Sequence, residues 1–441
     1  MLTEERRRTI LALALPIIGG MASQNVLNLV DAAMVGLLGS PALAAVGLGS
    51  FANFMAAAFI VGLSAGVQAM AARRLGEGRV GETAVPLNGG LLLALLIAVP
   101  WSAVLIVFAD RLFPILVEDP RVVELGIPYL RARLVAMAAL GMNFAFRGYW
   151  NGVNLSKVYM RTLIVMHLSN IFLNWVLIFG KFGLPAFGVA GAGMGSAIAT
   201  YLGVAMYMVQ AFVLARGSGF LRGFPDRQTL VSMLRLSVPT GIQQFFFATG
   251  MTVLFWIIGR IGTEELAASN VLVQLLLVAV LPGIGFGMAS ASLVGQALGR
   301  KDVVDAKRWG WDVGVLSVAV VGLLALVGLF FPSFMLGFFL HEPETLRLAR
   351  LPLQIVAATM WWDTLGLVLM NSLLGAGDNR RVMAVTVSLQ WGLFLPLAFL
   401  VGPVLGLGLA SVWAAQAAYR SIQTVAFVVM WHRGRWAEII L

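Results

Sequence analysis

Two short polar stripes interrupt an otherwise apolar sequence. Gln24, Asn28 and Asp31 are spaced i, i+4 and i+7, and His167, Asn170 and Asn174 are spaced i, i+3 and i+7. On an α-helix each set falls on one face. A carboxylate and two amide carbonyl oxygens are hard ligands, so Asp31, Asn170 and Asn174 together would suit a monovalent cation such as Na+. A proton on Asp31 is the other option, because apolar surroundings favour the uncharged carboxyl. Either event removes the local negative charge. Gln24, Asn28 and His167 are expected to line or support a substrate cavity beside that site. Interhelical hydrogen bonding is the competing role for the amides and for His167, and it needs no ligand.

A second intramembrane acid, Asp363, follows Trp361 and Trp362. It is read as a further cation-coupling carboxylate, with Trp361 supporting a cavity wall. The last apolar segment carries Gln416, Arg420 and Gln423 on one face, and Arg420 falls at a depth similar to that of Asp363. A buried ion pair is therefore the alternative, since intramembrane charges usually pair. Arg131 and Arg133 are expected to snorkel to the nearer interface. The chain has 20 Met and 27 Phe. Flexible thioethers and aromatic faces adapt to varied apolar cations, although ordinary packing also uses them.

The elements that must position these residues are membrane helices. Of 441 residues, 60% are hydrophobic and 11% charged, far from the balance of a soluble globule. Apolar runs of roughly 20 residues, long enough to cross about 30 Å of hydrocarbon, recur twelve times, from 9–33 to 406–431. They include 126–150 and 382–402. The connections are short, and the opening MLTEERRR has no small-residue cleavage site, so no removable signal peptide is expected. With both termini cytoplasmic, the loops on that side hold 21 of the 30 Lys and Arg, among them Arg6, Arg147 and Arg300. That bias fits the positive-inside rule at an inner, plasma membrane. It accounts for the net charge of +10 without nucleic acid. The zero cysteines and three scattered histidines, His167, His341 and His432, give no metal cluster. Paired catalytic carboxylates, zinc motifs and nucleophile elbows are missing, so an enzyme is not expected.

The chain also repeats itself. At an offset of 223 residues Pro16 meets Pro239, Gly36 meets Gly259, Gly62 meets Gly285, Leu75-Gly76 meets Leu298-Gly299 and Gly152 meets Gly375. Six helices per half is an even number, so the halves are parallel repeats. The expected division is 1–215 for the first lobe, 216–233 for a basic cytoplasmic linker, and 234–441 for the second lobe. The stripe of helix 1 is replaced in its repeat by Phe247, Met251 and Leu254, so packing alone does not require it. Pro16 removes one backbone donor fifteen residues before Asp31 and marks a bend point.

The segments ALPIIGGMASQNVLNLVDAAMVGLLG, AARRLGEGR, NIFLNWVLIFGKFGLPAFGVAGAGMGSAIAT, VPTGIQQ, VGQALGRKDVVDAKR and DTLGLVLMNSLLGAGDNRR, in that order and spacing, resemble the multidrug and toxic compound extrusion (MATE) family over nearly the whole chain. The resemblance implies an all-α membrane fold of twelve helices, in two six-helix lobes related by pseudo-two-fold symmetry and set as a V around a central cleft. It implies export of organic, often cationic amphipathic compounds by alternating access in exchange for H+ or Na+, with no cofactor and a monomeric chain among membrane lipids. Asp31 matches the family's helix 1 carboxylate and Pro16 its bend. In the DinF-like branch a helix 5 Asn and Asp complete the site; Asn170 matches the Asn, and Asn174 stands where the Asp would be. Asp363 matches the helix 10 Asp of NorM-like members by its spacing to Gly375 and Asp378, while their helix 7 Glu is missing from QQFFFATG. The chain thus falls between the two branches. A flippase for lipid-linked saccharides, which shares the lobe architecture, is the rival function; it would call for a strongly cationic cavity, whereas the stripes are acidic and neutral.

Overall fold

The computed structural model describes residues 3–223, 225–337, 339–340 and 342–439, so His341 lies outside the described residues. Every regular element among them is helical. In chain order the helices are α1 Glu4–Gly36, α2 Ser40–Gly76, α3 Val85–Leu112, α4 Pro120–Val135, α5 Met137–Gly152, α6 Ser156–Phe179, α7 Gly188–Leu214, α8 Arg227–Gly259, α9 Thr263–Gly299, α10 Val303–Phe330, α11 Pro332–Gly337, α12 Pro343–Ala376, α13 Asn379–Leu389, α14 Leu395–Phe399 and α15 Gly408–Arg433. Ten segments among the described residues are long and apolar enough to span a membrane, and the bent pair α4–α5 makes eleven. The remaining expected span is α15, whose 26 residues include the polar face of Gln416, Arg420 and Gln423. With α2 and α9 each 37 residues long, about 55 Å at 1.5 Å per residue, the longest helices outrun the hydrocarbon.

Two expected spans prove irregular. The run 126–150 belongs to a helix that starts at Pro120 and breaks by 48° at Ala136, whose N–H bonds to the Arg133 carbonyl in a tightened turn. The run 382–402 includes one widened π turn, Gln390–Phe394, and ends inside a second, Leu400–Val404. Pro396 and Pro403 each withhold a backbone donor there, and locally widened turns re-satisfy the freed groups.

The duplication is visible in the backbone. Displaced by 223 residues, α1 coincides with α8 and α2 with α9 at both ends, and the start of α6 coincides with the start of α13. Left-handed loop positions follow the same offset: Gly78 with Lys301, and Asn154 with Gly377. Close packing is conserved even where the residues exchange. In the first repeat a Cβ on Gly148 would strike the Ser64 carbonyl; in the second, Asn371 occupies the position of Gly148 and packs against Gly287, in the position of Ser64. Gly152 and Gly375 both lie against the backbone of the helix they cross.

The chain packs as two compact units, one formed by Met1–Ile18 with Ile242–Leu441, the other by Gly19–Gly241. Helix α1 therefore passes from one unit to the other two residues after Pro16, and α8 does so at the equivalent place after Pro239. In the first unit Ile10, Leu13 and Ala14 are buried among Phe286, Ala289 and Leu293. Arg6 fastens this end of α1, with Nη1 2.6 Å from Asp305 Oδ1, Nε 2.5 Å from Asp312 Oδ2 and its guanidinium 3.6 Å over the Trp309 ring. In the second unit Gly62 faces the Ser237 carbonyl and the Gly241 amide of α8, and Arg74 Nη2 donates to Thr229 Oγ1 at 3.0 Å.

Gly62→Val would drive a side chain into the α8 backbone, which cannot yield as a flexible side chain can. The variant should lose at least about 1–3 kcal/mol to overpacking, read as a lower melting temperature and reduced monodisperse yield in detergent.

Candidate functional site

The two polar stripes meet within the unit Gly19–Gly241. Helix α6 is drawn close to α7 because α7 presents small residues: Gly191 faces the Leu177 carbonyl, and Gly195 lies against the side chain of Asn174. Small residues let membrane helices approach where bulkier ones would hold them apart. From that seat Asn174 Nδ2 donates to Asp31 Oδ1 at 2.8 Å and to Asn170 Oδ1 at 2.9 Å. Both hydrogens of the Asn174 amide are then used, while its Oδ1 is buried with no hydrogen-bond partner. Asn170 and Asn174 are 4% and 1% exposed. The result is a cluster with surplus acceptors around one carboxylate. Such a donor-poor oxygen set fits a hard monovalent cation, or a proton on Asp31.

Toward the other end of the stripes, His167 joins α6 to α1 through both ring nitrogens. Nε2 is 3.0 Å from Gln24 Oε1 and Nδ1 is 2.9 Å from Ser23 Oγ. Gln24 Nε2 donates onward to Asn28 Oδ1 at 3.1 Å. A neutral ring satisfies this with Nε2–H donating to Gln24 and the Ser23 hydroxyl donating to Nδ1. The Ser23 oxygen also lies 2.7 Å from the Gly20 carbonyl. Rotating its hydroxyl toward that carbonyl would leave an acceptor for Nδ1–H, so the network tolerates either ring state. Ser23 was not on either stripe, and its only signal in the sequence is that a buried His needs a second partner near Gln24. Gln24 and Asn28 remain exposed, whereas His167 is buried.

Asp363 and Trp361 belong to the other unit and are not part of this cluster. Asp363 is ion-paired with Arg420, whose Nη2 lies 2.7 Å from Oδ1 and 2.9 Å from Oδ2. Arg420 Nη1 also donates to Gln423 Oε1 at 2.8 Å. Trp361 is half exposed, its indole N–H donating to the Ala358 carbonyl at 2.8 Å. Arg131 reaches Asp110 at 2.6 Å.

The MatE family model matches residues 16–176 and again 239–400. The chain belongs to the MatE family. The two matched stretches begin 223 residues apart, the offset already seen in the sequence and the helix ends. A probable multidrug resistance protein NorM of Thermotoga maritima is 24% identical over 447 residues, covering 98% of this chain and 94% of that protein. Another, of Pseudomonas aeruginosa, is 29% identical over 420 residues, covering 92% and 85%. Among solved structures, the outward-facing conformation of a multidrug resistance MATE family transporter of the MOP superfamily superposes with a TM-score of 0.89 at 21% identity, over 98% of this chain and 96% of that one. As a MatE protein the chain is a polytopic membrane transporter with the two-lobe helical fold, and not an enzyme.

Removing one partner of a fully buried ion pair costs about 3–5 kcal/mol, an upper bound for the partly buried Asp363–Arg420 pair. Arg420→Gln should therefore destabilise this MatE protein strongly, and the double variant with Asp363→Asn should recover much of the loss. Melting temperatures of the four forms provide the cycle, and additive losses would refute the coupling.

Proposed function

We propose that this MatE protein is a secondary active antiporter that exports organic, often cationic and amphipathic compounds in exchange for H+ or Na+. The observation that carries this reading is the Asp31–Asn174–Asn170 cluster, a carboxylate among surplus oxygen acceptors and without an ion-pair partner among the described residues. Its relatives' names as multidrug resistance proteins support drug-like solutes as the exported class.

In this mechanism, Asp31 exchanges a coupling cation for its hydrogen-bonded resting state, with Asn170 and Asn174 as oxygen ligands for Na+ or as the setting for a protonated carboxyl. Gln24 and Asn28, exposed on the same helix face, meet the solute, and His167 holds that face to α6. Neutralising Asp31 weakens its bond from Asn174, because a carboxylate accepts a hydrogen bond more strongly than a neutral acid. That loosens the outer end of α1 from α6. The same helix crosses between the two units after Ile18, so Pro16 is the bend through which the change is passed on. Asp363 is already neutralised by Arg420 and supports the second lobe. The basic loops favour a plasma membrane location with both termini cytoplasmic, and the chain works as a monomer.

Proteoliposomes preloaded with a fluorescent organic cation test this, with proton and sodium gradients imposed separately. Transport should follow one gradient, and Asp31→Asn should lower its rate at least about tenfold, equivalent to about 1.4 kcal/mol, with an unchanged melting profile. Full gradient-driven transport by Asp31→Asn would remove the proposed mechanism. Inactivity of the native protein under both gradients would move the case to a lipid-linked saccharide substrate.

A further inference from the structure

The unit that holds Asp31 also contains a cation that the coupling cluster does not use. Arg147 lies on α5, five residues before its end at Gly152. Its Nε donates to Ser64 Oγ of α2 at 3.0 Å, it is hydrogen-bonded to Tyr159 of α6, and its guanidinium lies 4.7 Å over the Phe144 ring. Tyr207 of α7 fixes Tyr159 by donating its hydroxyl to the Tyr159 carbonyl at 3.3 Å, and its own ring stacks on Phe146 at 5.2 Å. Ser64, Tyr159 and Tyr207 are 3%, 5% and 2% exposed. Four helices thus build one polar nest around a permanently charged group.

No carboxylate among the described residues pairs with Arg147, whereas Arg131 and Arg420 each have one and Arg6 has two. Intramembrane charges pair with one another or mark the path of a ligand. Helix packing does not demand the nest either. At the 223-residue offset Arg147, Ser64 and Tyr159 are replaced by Met370, Gly287 and Val382. A guanidinium is a planar fork of donors that matches the oxygens of phosphate, and a tyrosine hydroxyl adds a neutral donor. Five residues of helix place Arg147 about 8 Å from the end of α5, and the basic residues Lys157 and Arg161 follow that end.

We propose that Arg147 and Tyr159 form a phosphate-binding site that supplies the missing counter-charge, filled by the head group of an anionic phospholipid or by free phosphate. The site is separate from the Asp31 cluster and does not rest on antiport.

The test is thermal unfolding of the purified full chain in neutral detergent, with added phosphatidylglycerol, phosphatidylcholine or inorganic phosphate, for the native protein, Arg147→Lys and Arg147→Met. The methionine is the residue of the second repeat at that position. Phosphatidylglycerol should raise the melting temperature of the native and lysine forms above the level reached with phosphatidylcholine, and the gain should vanish in Arg147→Met. A gain from inorganic phosphate alone, lost in the same variant, supports the site with free phosphate as its occupant. Equal gains in native and Arg147→Met, or no gain from either anion, overturn it. Should Arg147→Met not fold, Tyr159→Phe keeps the ring and removes the donor; an undiminished phosphatidylglycerol response in that variant also overturns the proposal.

Discussion

The attachment of α1 at two places is the constraint on which the rest of the structure depends. Near its start, Arg6 is held by two carboxylates and a tryptophan ring of α10. Beyond Pro16, Ser23, Gln24 and Asp31 are bonded to two side chains of α6, His167 and Asn174. Those two ends belong to different compact units. A hydrogen bond made or lost at Asp31 is consequently a change in how tightly one unit grips a helix whose other end is fixed elsewhere. Hydrogen bonds to charged groups are worth about 1.5–3 kcal/mol, enough to shift an equilibrium between two helix positions by a factor of ten or more.

The duplicated backbone has been put to unequal uses. Left-handed positions, helix ends and glycine contacts recur at one offset, so the scaffold was retained. The polar chemistry was not. His167 bonds the side chains of Ser23 and Gln24, whereas Gln390, its repeat partner, donates at 3.4 Å to the backbone carbonyl of Phe247, which stands in place of Gln24. Asp31 accepts from an amide, whereas the acid of the second repeat, Asp363, is matched by a fixed guanidinium. Among the described residues, one half therefore keeps a carboxylate without an ion-pair partner, and the other keeps its acid paired.

Much of this was legible from residue spacing. Helical periodicity put Gln24, Asn28 and Asp31 on one face and His167, Asn170 and Asn174 on another, and the cost of isolated polar groups in a membrane made their meeting the natural outcome. Counting depth from the helix ends also brought Arg420 to Asp363. What could not be read depends on contacts between distant segments. Nothing local to Gly62 says that it will touch Ser237, and nothing near Ile10 names Phe286 as its neighbour. The bend at Ala136 has no proline or glycine to announce it, and Ser23 lies off the stripe whose histidine it completes.

The exchange of first-helix halves also has a consequence for biogenesis. Ile10, Leu13 and Ala14 emerge from the ribosome early, but the residues that bury them, Phe286, Ala289 and Leu293, follow more than 270 positions later. Through most of synthesis that face of α1 has only lipid or the insertion machinery to cover it, and native contacts of such long sequence separation form late. The second repeat has no comparable wait, because the start of α8 joins the unit Gly19–Gly241, whose other helices are already made. Truncation after α7 would thus leave an orphaned amphiphile, which cellular quality control could recognise as the mark of an unfinished protein.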